Sequence, residues 1–425
     1  MKKIIAFFIR GEGLIPRPSG RFLSVLNPRP IPYENNIPRP FRARLLIFSI
    51  LIISGINTLY AQITFSGVLD STVTMNVGAG DSPAFTYGIE EFANMRFQAR
   101  LREGAVINGA VNFTAASGIN TATLIGAGIP ITDNFIAAIE LERLQFRLRG
   151  EHIDFDGGLF RLPFGYSQVW GPSDFLNPKN PLKPDARPRG VLGASLTWYP
   201  IDEIKLLLFF AAPRNAFDLE GKGSLFGLSI DRHWDKISIQ TLYSFEIPHD
   251  NYSYGIHRAG LSIKADIAAG IVLDALYTYD HEASSGLEGL SFSFGADYSF
   301  LGGDLIILAE YLYNGKKSST AFDQQNNLLG LKNNHYLNAS LTYRFNDFTN
   351  MSAALITCFD DISFTPLLSL NHDLFQGVAL TVSAMVPLDR DLFARDGNKG
   401  ELGPVRPGFT AGNYLICTAR IRIRF

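Results

Sequence analysis

The sequence predicts an all-β fold, namely a transmembrane antiparallel up-and-down β-barrel of 18 strands. Three observations lead to this prediction: repeated segments in which apolar and polar residues alternate, connections that alternate between short and long, and a last segment that alternates as far as Phe425. An alternation of period two places the two sets of side chains on opposite faces of a strand. After residue 62 no apolar run reaches the ~20 residues of a membrane helix, and only a closed barrel can otherwise satisfy the backbone inside a bilayer.

The composition is typical of a folded sheet protein. Hydrophobic residues make up 46% of the 425 residues, with 33 Phe, 16 Tyr and 39 Gly, which excludes a disordered chain and suits turns and interfacial rings. Cys358 and Cys417 are too few for a disulfide framework or a metal site. Because neither G-x-S-x-G, H-E-x-x-H nor a Cys/His cluster occurs, we expect no enzyme, no cofactor and no metal site.

The first 61 residues differ from the rest and are expected to be an N-terminal extension and a signal peptide. An apolar run over residues 45–60 follows Arg42 and Arg44 and ends before Ala61, where we expect cleavage. Residues 1–41 are rich in Pro and Arg, and whether they are expressed stays open. The 61 residues carry nine Lys/Arg and two Asp/Glu, so the net charge of −2 becomes −2 − 7 = −9 for residues 62–425. An acidic chain argues against a nucleic-acid partner.

Alternating segments recur through residues 62–425, which we expect to form a single barrel. The clearest runs from Leu337 to Phe345, with apolar or aromatic residues at odd positions and polar residues at even ones. The eighteen segments begin near residues 63, 86, 104, 134, 151, 190, 203, 222, 235, 252, 268, 287, 303, 335, 350, 362, 375 and 412. A barrel of sixteen strands is the alternative.

The connections support the even strand count. Links after even-numbered segments are short, whereas several links after odd-numbered segments are long, at residues 116–133, 161–189, 314–334 and 388–411. Short turns on one rim and long loops on the other are typical of outer-membrane barrels. Both termini should then lie at the short-turn rim, which faces the periplasm.

The last segment carries the most specific signal. Residues 414–425 alternate to the end and stop on Phe425. This resembles the assembly signal of bacterial outer-membrane proteins, a final amphipathic strand that closes on a C-terminal Phe. The resemblance implies a location in the bacterial outer membrane, contact with its lipid, and recognition of the last strand by the barrel-assembly machinery.

A second resemblance follows the fifth segment. Residues 158–165 read GLFRLPFG and residues 170–178 read WGPSDFLNP. They resemble phrases of phosphate-selective porins and related outer-membrane transport barrels, although the scattered lysines here do not match a phosphate-binding lumen. The resemblance implies a porin-type channel for passive diffusion of small hydrophilic solutes, with a homotrimer or a monomeric barrel as the expected assembly. A surface-displayed barrel with a structural or adhesive role, a hydrophobic-substrate transporter and a soluble periplasmic β-protein are the alternatives.

Residues 161–189 form a long link stiffened by six prolines. A loop of about 30 residues is unusual unless it is functional. We expect it to fold into the barrel as a constriction loop, with an outward rim loop as the alternative. The candidate constriction residues are Pro163, Trp170, Asp174, Lys179, Lys183, Asp185, Arg187 and Arg189.

Arginines concentrate on the polar faces of three segments that a closed barrel brings near one another. The candidate pore-lining residues are Arg96, Arg100, Arg102, Arg143, Arg147, Arg149, Arg420, Arg422 and Arg424. Rings of arginine favour anions, but pairing with luminal carboxylates such as Asp154 and Asp156 is an equal alternative. Glu140 and Glu142 fall on the apolar face of Leu144, so either a bulge lies between them or they rise above the membrane.

Overall fold

The computed structural model describes residues 62–78, 85–102, 104–124, 129–132, 134–178, 190–212, 223–248, 255–280, 286–315, 331, 333–388 and 413–425. The predicted extension and signal peptide, residues 1–61, lie outside this part. No helix among the described residues is long and apolar enough to span a membrane. The three short 3-10 helices are Ile119–Leu124, Gly286–Gly289 and Leu301–Gly303.

The fold is a closed antiparallel barrel of 18 strands, which confirms the predicted class and excludes the sixteen-stranded alternative. Its wall strands are β1 (Gln62–Gly78), β2 (Phe85–Arg102), β3 (Ala105–Gly118), β4 (Phe135–Arg149), β5 (Ile153–Phe160), β6 (Val191–Ile201), β7 (Ile204–Ala211), β8 (Leu225–Trp234), β9 (Ile237–Glu246), β10 (Ile256–Asp266), β11 (Gly270–Asp280), β12 (Leu290–Phe300), β13 (Leu305–Asn314), β14 (His335–Asn346), β15 (Thr349–Cys358), β16 (Ser363–Phe375), β17 (Val378–Met385) and β18 (Asn413–Arg424). A short strand, Ile129–Thr132, pairs only with the start of β4 and lies outside the ring, since β3 pairs with β4 directly.

The connections follow the expected alternation. Every link after an even-numbered strand contains two to four residues, and the long links follow odd-numbered strands. The barrel closes where β1 pairs with β18, and Gly67 and Phe425 exchange two backbone hydrogen bonds of 2.8 and 3.2 Å. Both ends of the wall therefore lie toward the short-turn rim, because Gln62 pairs with Arg100 near the β2–β3 turn.

The outer face of the wall is apolar. Exposed side chains such as Phe65, Leu69 and Val73 on β1 pair with outward residues of the neighbouring strands, and such residues recur around the ring. Aromatic side chains gather toward the two ends of the strands, as they do at the interfaces of outer-membrane barrels. Trp198, Trp234 and Phe300 lie near the short turns, whereas Tyr243, Tyr279 and Tyr313 lie toward the long loops.

A β-bulge in β4 explains the carboxylates that interrupt its apolar face. The pairing of β3 with β4 shifts by one residue between Ala110 and Val111, so that Glu142 is the extra residue. Leu141 and Leu144 consequently both point outward, 48% and 47% exposed. A bulge reverses the facing of the residues beyond it, and Glu140, paired with Asn112, lies on the inner face.

The ring of Phe425 covers a gap left by Gly67. A Cβ atom on Gly67 would lie 2.3 Å from Cζ of that ring. We expect Gly67→Leu to displace the ring at a cost of about 1 kcal/mol, the low end for overpacking, since the ring lies at the surface. The yield of heat-modifiable, folded barrel in refolding assays should fall, while Ala296→Leu on the outer face of β12 should leave it unchanged. An equal yield for both variants would contradict a role for this contact in closure.

Candidate functional site: the inner wall and the segment that crosses it

The inner face of the barrel is polar. The strand register places a second set of side chains opposite to the outward apolar ones, and many of these are buried although they are polar or charged. Buried polar groups require hydrogen-bond partners. The partners come from neighbouring strands and from residues 161–178, hereafter the inner segment, which directly follows β5.

The inner segment begins by packing on β7. Phe164 is buried between Phe175 of the same segment, with ring centroids 6.2 Å apart, and Phe209 of β7, at 5.0 Å. The N–H of Leu162 donates to Oδ1 of Asn177 at 2.7 Å, which ties the two ends of the segment together. This small apolar cluster lies on the inner side of the wall. Phe209 follows the outward-facing Leu208 in the strand and therefore points inward, as does its buried partner Ser195 on β6.

The segment then crosses the inner faces of β9, β10 and β11. The N–H of Gly165 donates to Oε1 of Gln240 on β9 at 2.6 Å. The Ser173 hydroxyl lies 3.3 Å from that of Ser262 on β10, which donates to Oδ1 of Asp274 on β11 at 2.7 Å. Gly165 has a φ of +78°, and a Cβ there would lie 2.3 Å from both Oδ2 of Asp274 and Oγ of Ser173. Glycine is therefore required by conformation and by space.

Glu310 on β13 holds the middle of the inner segment. Its carboxylate, 1% exposed, accepts hydrogen bonds from the Ser167 hydroxyl and from three backbone N–H groups. These N–H donors are Gln168 at 3.0 Å, Val169 at 3.1 Å and Trp170 at 2.9 Å. The buried carboxylate and its four donors satisfy one another's hydrogen-bonding capacity. One wall side chain thus satisfies four consecutive residues of the segment.

Trp170 is the far anchor. Its indole Nε1 donates to the backbone oxygen of Glu310 at 2.9 Å, and its ring lies 5.8 Å from that of Tyr336 on β14. Leu312 and Ile356 complete a buried apolar cluster around it. The inner segment therefore extends along the wall from β7 to β15.

Three of the candidate constriction residues are described by the structure, and the others are not. Trp170 and Asp174 are buried and hold the segment in place; Oδ1 of Asp174 accepts a hydrogen bond from the N–H of Phe164 at 3.3 Å. Pro163 is exposed. The remaining candidates lie outside the described residues: Lys179, Lys183, Asp185, Arg187 and Arg189.

The candidate arginines lie on the inner face by register. Arg96 pairs with Ser66 and Ala110, Arg143 also with Ala110, and Arg420 with Thr72, all on the side opposite to the exposed apolar residues. By the same alternation the inner face also holds Arg100, Arg147, Arg149, Arg422 and Arg424. The side chain of Arg102 is outside the described part of the chain.

Several of these arginines are paired with carboxylates. Arg147 lies 3.0 Å from Asp156, and Arg149 lies 3.0 Å from Asp156 and 3.4 Å from Asp154. Arg422 forms a bidentate pair with Asp70 across the closure, with both N···O distances at 2.7 Å. These pairs match the alternative in which arginines hold the wall.

Arg100 and Arg143 have no such carboxylate partner in the described part of the chain. Among the described residues no carboxylate oxygen lies within 4.0 Å of a side-chain nitrogen of Arg100 or Arg143. Arg96, whose Nε donates to Oδ1 of Asn94 at 2.5 Å, joins Arg143 and Arg161 in lining a cavity of about 440 Å³. Glu142, from the bulge, is the acidic residue of that lining. The cavity therefore has an excess of positive charge.

Arg161 and Asn94 belong to the site but were not among the residues predicted from the sequence. Arg161 lies 3.5 Å from Glu142, and Nδ2 of Asn94 donates to Glu142 at 2.7 Å and to Asn112 at 2.6 Å. An alternating pattern could have placed Asn94 on the inner face. It could not have placed Glu142, whose position depends on the bulge.

No protein-family model and no curated protein matches the sequence. Solved structures that are similar in fold include Acinetobacter baumannii OccAB4, the outer membrane protein opdK from Pseudomonas aeruginosa and a BenF-like porin from Pseudomonas fluorescens Pf-5. Their identities to this chain are 10%, 9% and 8%, each with a TM-score of 0.52 over 86% of this chain and 98% of the other. At such low identity the likeness establishes the architecture alone.

Proposed function

We propose that the chain is an outer-membrane porin that allows passive diffusion of small hydrophilic solutes and favours anions. The observation that carries the proposal is the inner segment, which is held by Glu310 and Trp170 against the polar inside of a closed barrel. Such a segment narrows a lumen from one side. The opposite side carries the arginines, and rings of like charge set ion preference in barrels of this kind.

The anion preference rests on the arginines without a carboxylate partner. Arg100 and Arg143 place positive charge beside the path, and Arg143 lines the cavity in which three arginines face one glutamate. The charges of Arg147, Arg149 and Arg422 are largely cancelled by the carboxylates that pair with them. These residues therefore contribute little to the anion preference. The preference should therefore be moderate and should fall as ionic strength rises.

The test is the conductance of the refolded chain in a planar bilayer. Under a salt gradient we expect stable ohmic steps and a reversal potential of the sign that marks anion selectivity. A reversal potential at zero or of the opposite sign would remove the anion preference and leave the porin proposal intact. A folded barrel that does not conduct would overturn the porin proposal and favour a surface-display role.

The location and the assembly are part of the same proposal. The exposed apolar outer face supports contact with membrane lipid, and the last strand with Phe425 supports recognition by the barrel-assembly machinery. We propose export through the signal peptide with cleavage near Ala61, and association of the barrels into a homotrimer. Membrane fractionation tests the location in the outer membrane, and N-terminal sequencing of the mature chain tests the cleavage near Ala61.

A further inference from the structure

Glu142 and Arg143 are consecutive residues that line the same cavity. Successive side chains of a regular strand point to opposite faces, so without the β-bulge in β4 only one of the two could face inward. The bulge makes Glu142 the extra residue and lets Arg143, which pairs with Ala110, lie on the inner face as well. Both belong to the lining of the cavity of about 440 Å³. Bulges that redirect a side chain in this way are over-represented next to functional sites.

Neighbouring side chains fix the carboxylate of Glu142 in the cavity. Its Oε2 accepts a hydrogen bond from Nδ2 of Asn94 at 2.7 Å. Its Oε1 lies 3.5 Å from Nη2 of Arg161, the first residue of the inner segment. Asn94 is itself held by Arg96, whose Nε donates to Oδ1 of this amide. The bulge therefore sets a negative charge, 9% exposed, among the guanidinium groups that line the cavity.

This carboxylate acts against the attraction of the arginines for an anion. Three arginines line the cavity with one glutamate, and neutral hydrogen-bonding side chains such as Gln98 and Asn108 complete the polar lining. An anion that enters would be attracted by the guanidinium groups and repelled by Glu142. Conduction requires a site that an ion enters readily but also leaves easily. A fixed negative charge beside the arginines would shorten the time that an anion stays.

We infer that Glu142 is a built-in counter-charge that prevents the arginine cavity from retaining anions. It competes with a solute anion for the guanidinium group of Arg161 and repels an anion near Arg143. A unit charge at a distance of about 4 Å in water changes the affinity for a monovalent anion by about fivefold, and the effect is larger for a divalent one. The inference rests on the proposed anion-favouring pore and adds the residue that limits retention in it.

The test measures how sulfate, an anion with two charges, blocks the chloride current of the refolded chain in planar bilayers. Glu142→Gln keeps an oxygen that accepts from Asn94 but removes the charge. We therefore expect half-block at a sulfate concentration at least about fivefold lower than in the wild type. The matched control is Glu140→Gln, which removes the same charge from the inner face of β4 outside the cavity lining. Screening by salt should limit its shift to less than about twofold.

Calorimetric titration of the same refolded barrels with sulfate in detergent gives a second readout that needs no current. The affinity should rise in Glu142→Gln and fall in Arg143→Gln, and heat-modifiability checks that each variant is folded. An unchanged or lower affinity in Glu142→Gln would overturn the inference. An equal rise in Glu140→Gln would overturn it too, since the effect would then follow from net charge and not from the bulge. A Glu142→Gln chain that does not fold would assign the carboxylate to the stability of the wall instead.

The two readouts separate this inference from the proposed function. A wild type that conducts with anion selectivity, while Glu142→Gln binds sulfate as the wild type does, would leave the porin proposal standing and remove the role of Glu142. A wild type that does not conduct, but whose Glu142→Gln variant binds sulfate more tightly, would overturn the porin proposal and support the counter-charge.

Discussion

Glu310→Ala should release the inner segment from the wall and widen the pore. The Ser167 hydroxyl and the N–H groups of Gln168, Val169 and Trp170 all donate to this carboxylate. Each buried donor without an acceptor costs roughly 1–3 kcal/mol, so the segment would lose on the order of 4 kcal/mol or more if it stayed in place. Detachment into the lumen should therefore be favoured, and single-channel recordings should show higher mean conductance with frequent transitions.

Two further variants make this result specific. Glu310→Gln keeps one acceptor oxygen and should give an intermediate effect. Asp297→Ala removes an acceptor that receives a single hydrogen bond, from Nε2 of Gln168 at 3.0 Å, and should change the conductance little. Limited proteolysis of the segment should increase only in the Glu310 variants. Unchanged conductance and protease resistance in Glu310→Ala would mean that the segment is held by Trp170 and the Phe164 cluster alone.

The arginines should separate into those that set selectivity and those that stabilise the wall. Arg143→Gln should shift the reversal potential toward zero with little change in stability, because its charge is unpaired in the described structure. In water, the interaction energy between a unit charge and an ion about 4 Å away is about 1 kcal/mol. Removal of the Arg143 charge should therefore lower the local anion concentration by at most about fivefold.

Arg422→Gln should have the opposite profile. It leaves the carboxylate of Asp70, 8% exposed, without its bidentate partner at the closure of the barrel. The expected loss of unfolding free energy is about 1–3 kcal/mol, less than for a fully buried pair because Arg422 is partly exposed. Denaturant titration and the reversal potential should be measured on both variants. Unfolding of Arg143→Gln at a lower denaturant concentration than Arg422→Gln, or a loss of anion selectivity in Arg422→Gln, would contradict this division.

The wall could be predicted from the sequence because its rules are local. Alternation gives the face of each residue, and the turn residues give the ends, so all eighteen predicted starts correspond to wall strands. The bulge at Glu142 was one of two explanations for the same anomaly, since alternation reports a break but not its form. The short strand Ile129–Thr132 was missed because it lies within a long link and pairs over only a few residues.

The contacts of the site are long-range and could not be predicted in the same way. Ser167 and Glu310 are 143 positions apart, and Asp70 and Arg422 are 352 positions apart. Six prolines indicated a stiff loop, but nothing in the pattern indicated which wall residue would accept its N–H groups. The arginine pairs on β4 and β5 were more accessible, because Arg147 and Asp156 face each other across a hairpin.

The course of the inner segment along β7 to β15 divides the circumference of the barrel by tolerance to change. On that arc Gln240, Ser262 and Glu310 hold the segment, so mutations of these side chains would appear first as misfolding. The candidate arginines lie on the remaining arc, β18 and β1 to β4, where those without a carboxylate partner in the described residues, Arg100 and Arg143, can be exchanged without loss of an ion pair. Protein design or evolution could therefore adapt the pore to a new solute by substitutions on the arc of β18 and β1 to β4. The arc from β7 to β15 would stay unchanged and hold the inner segment.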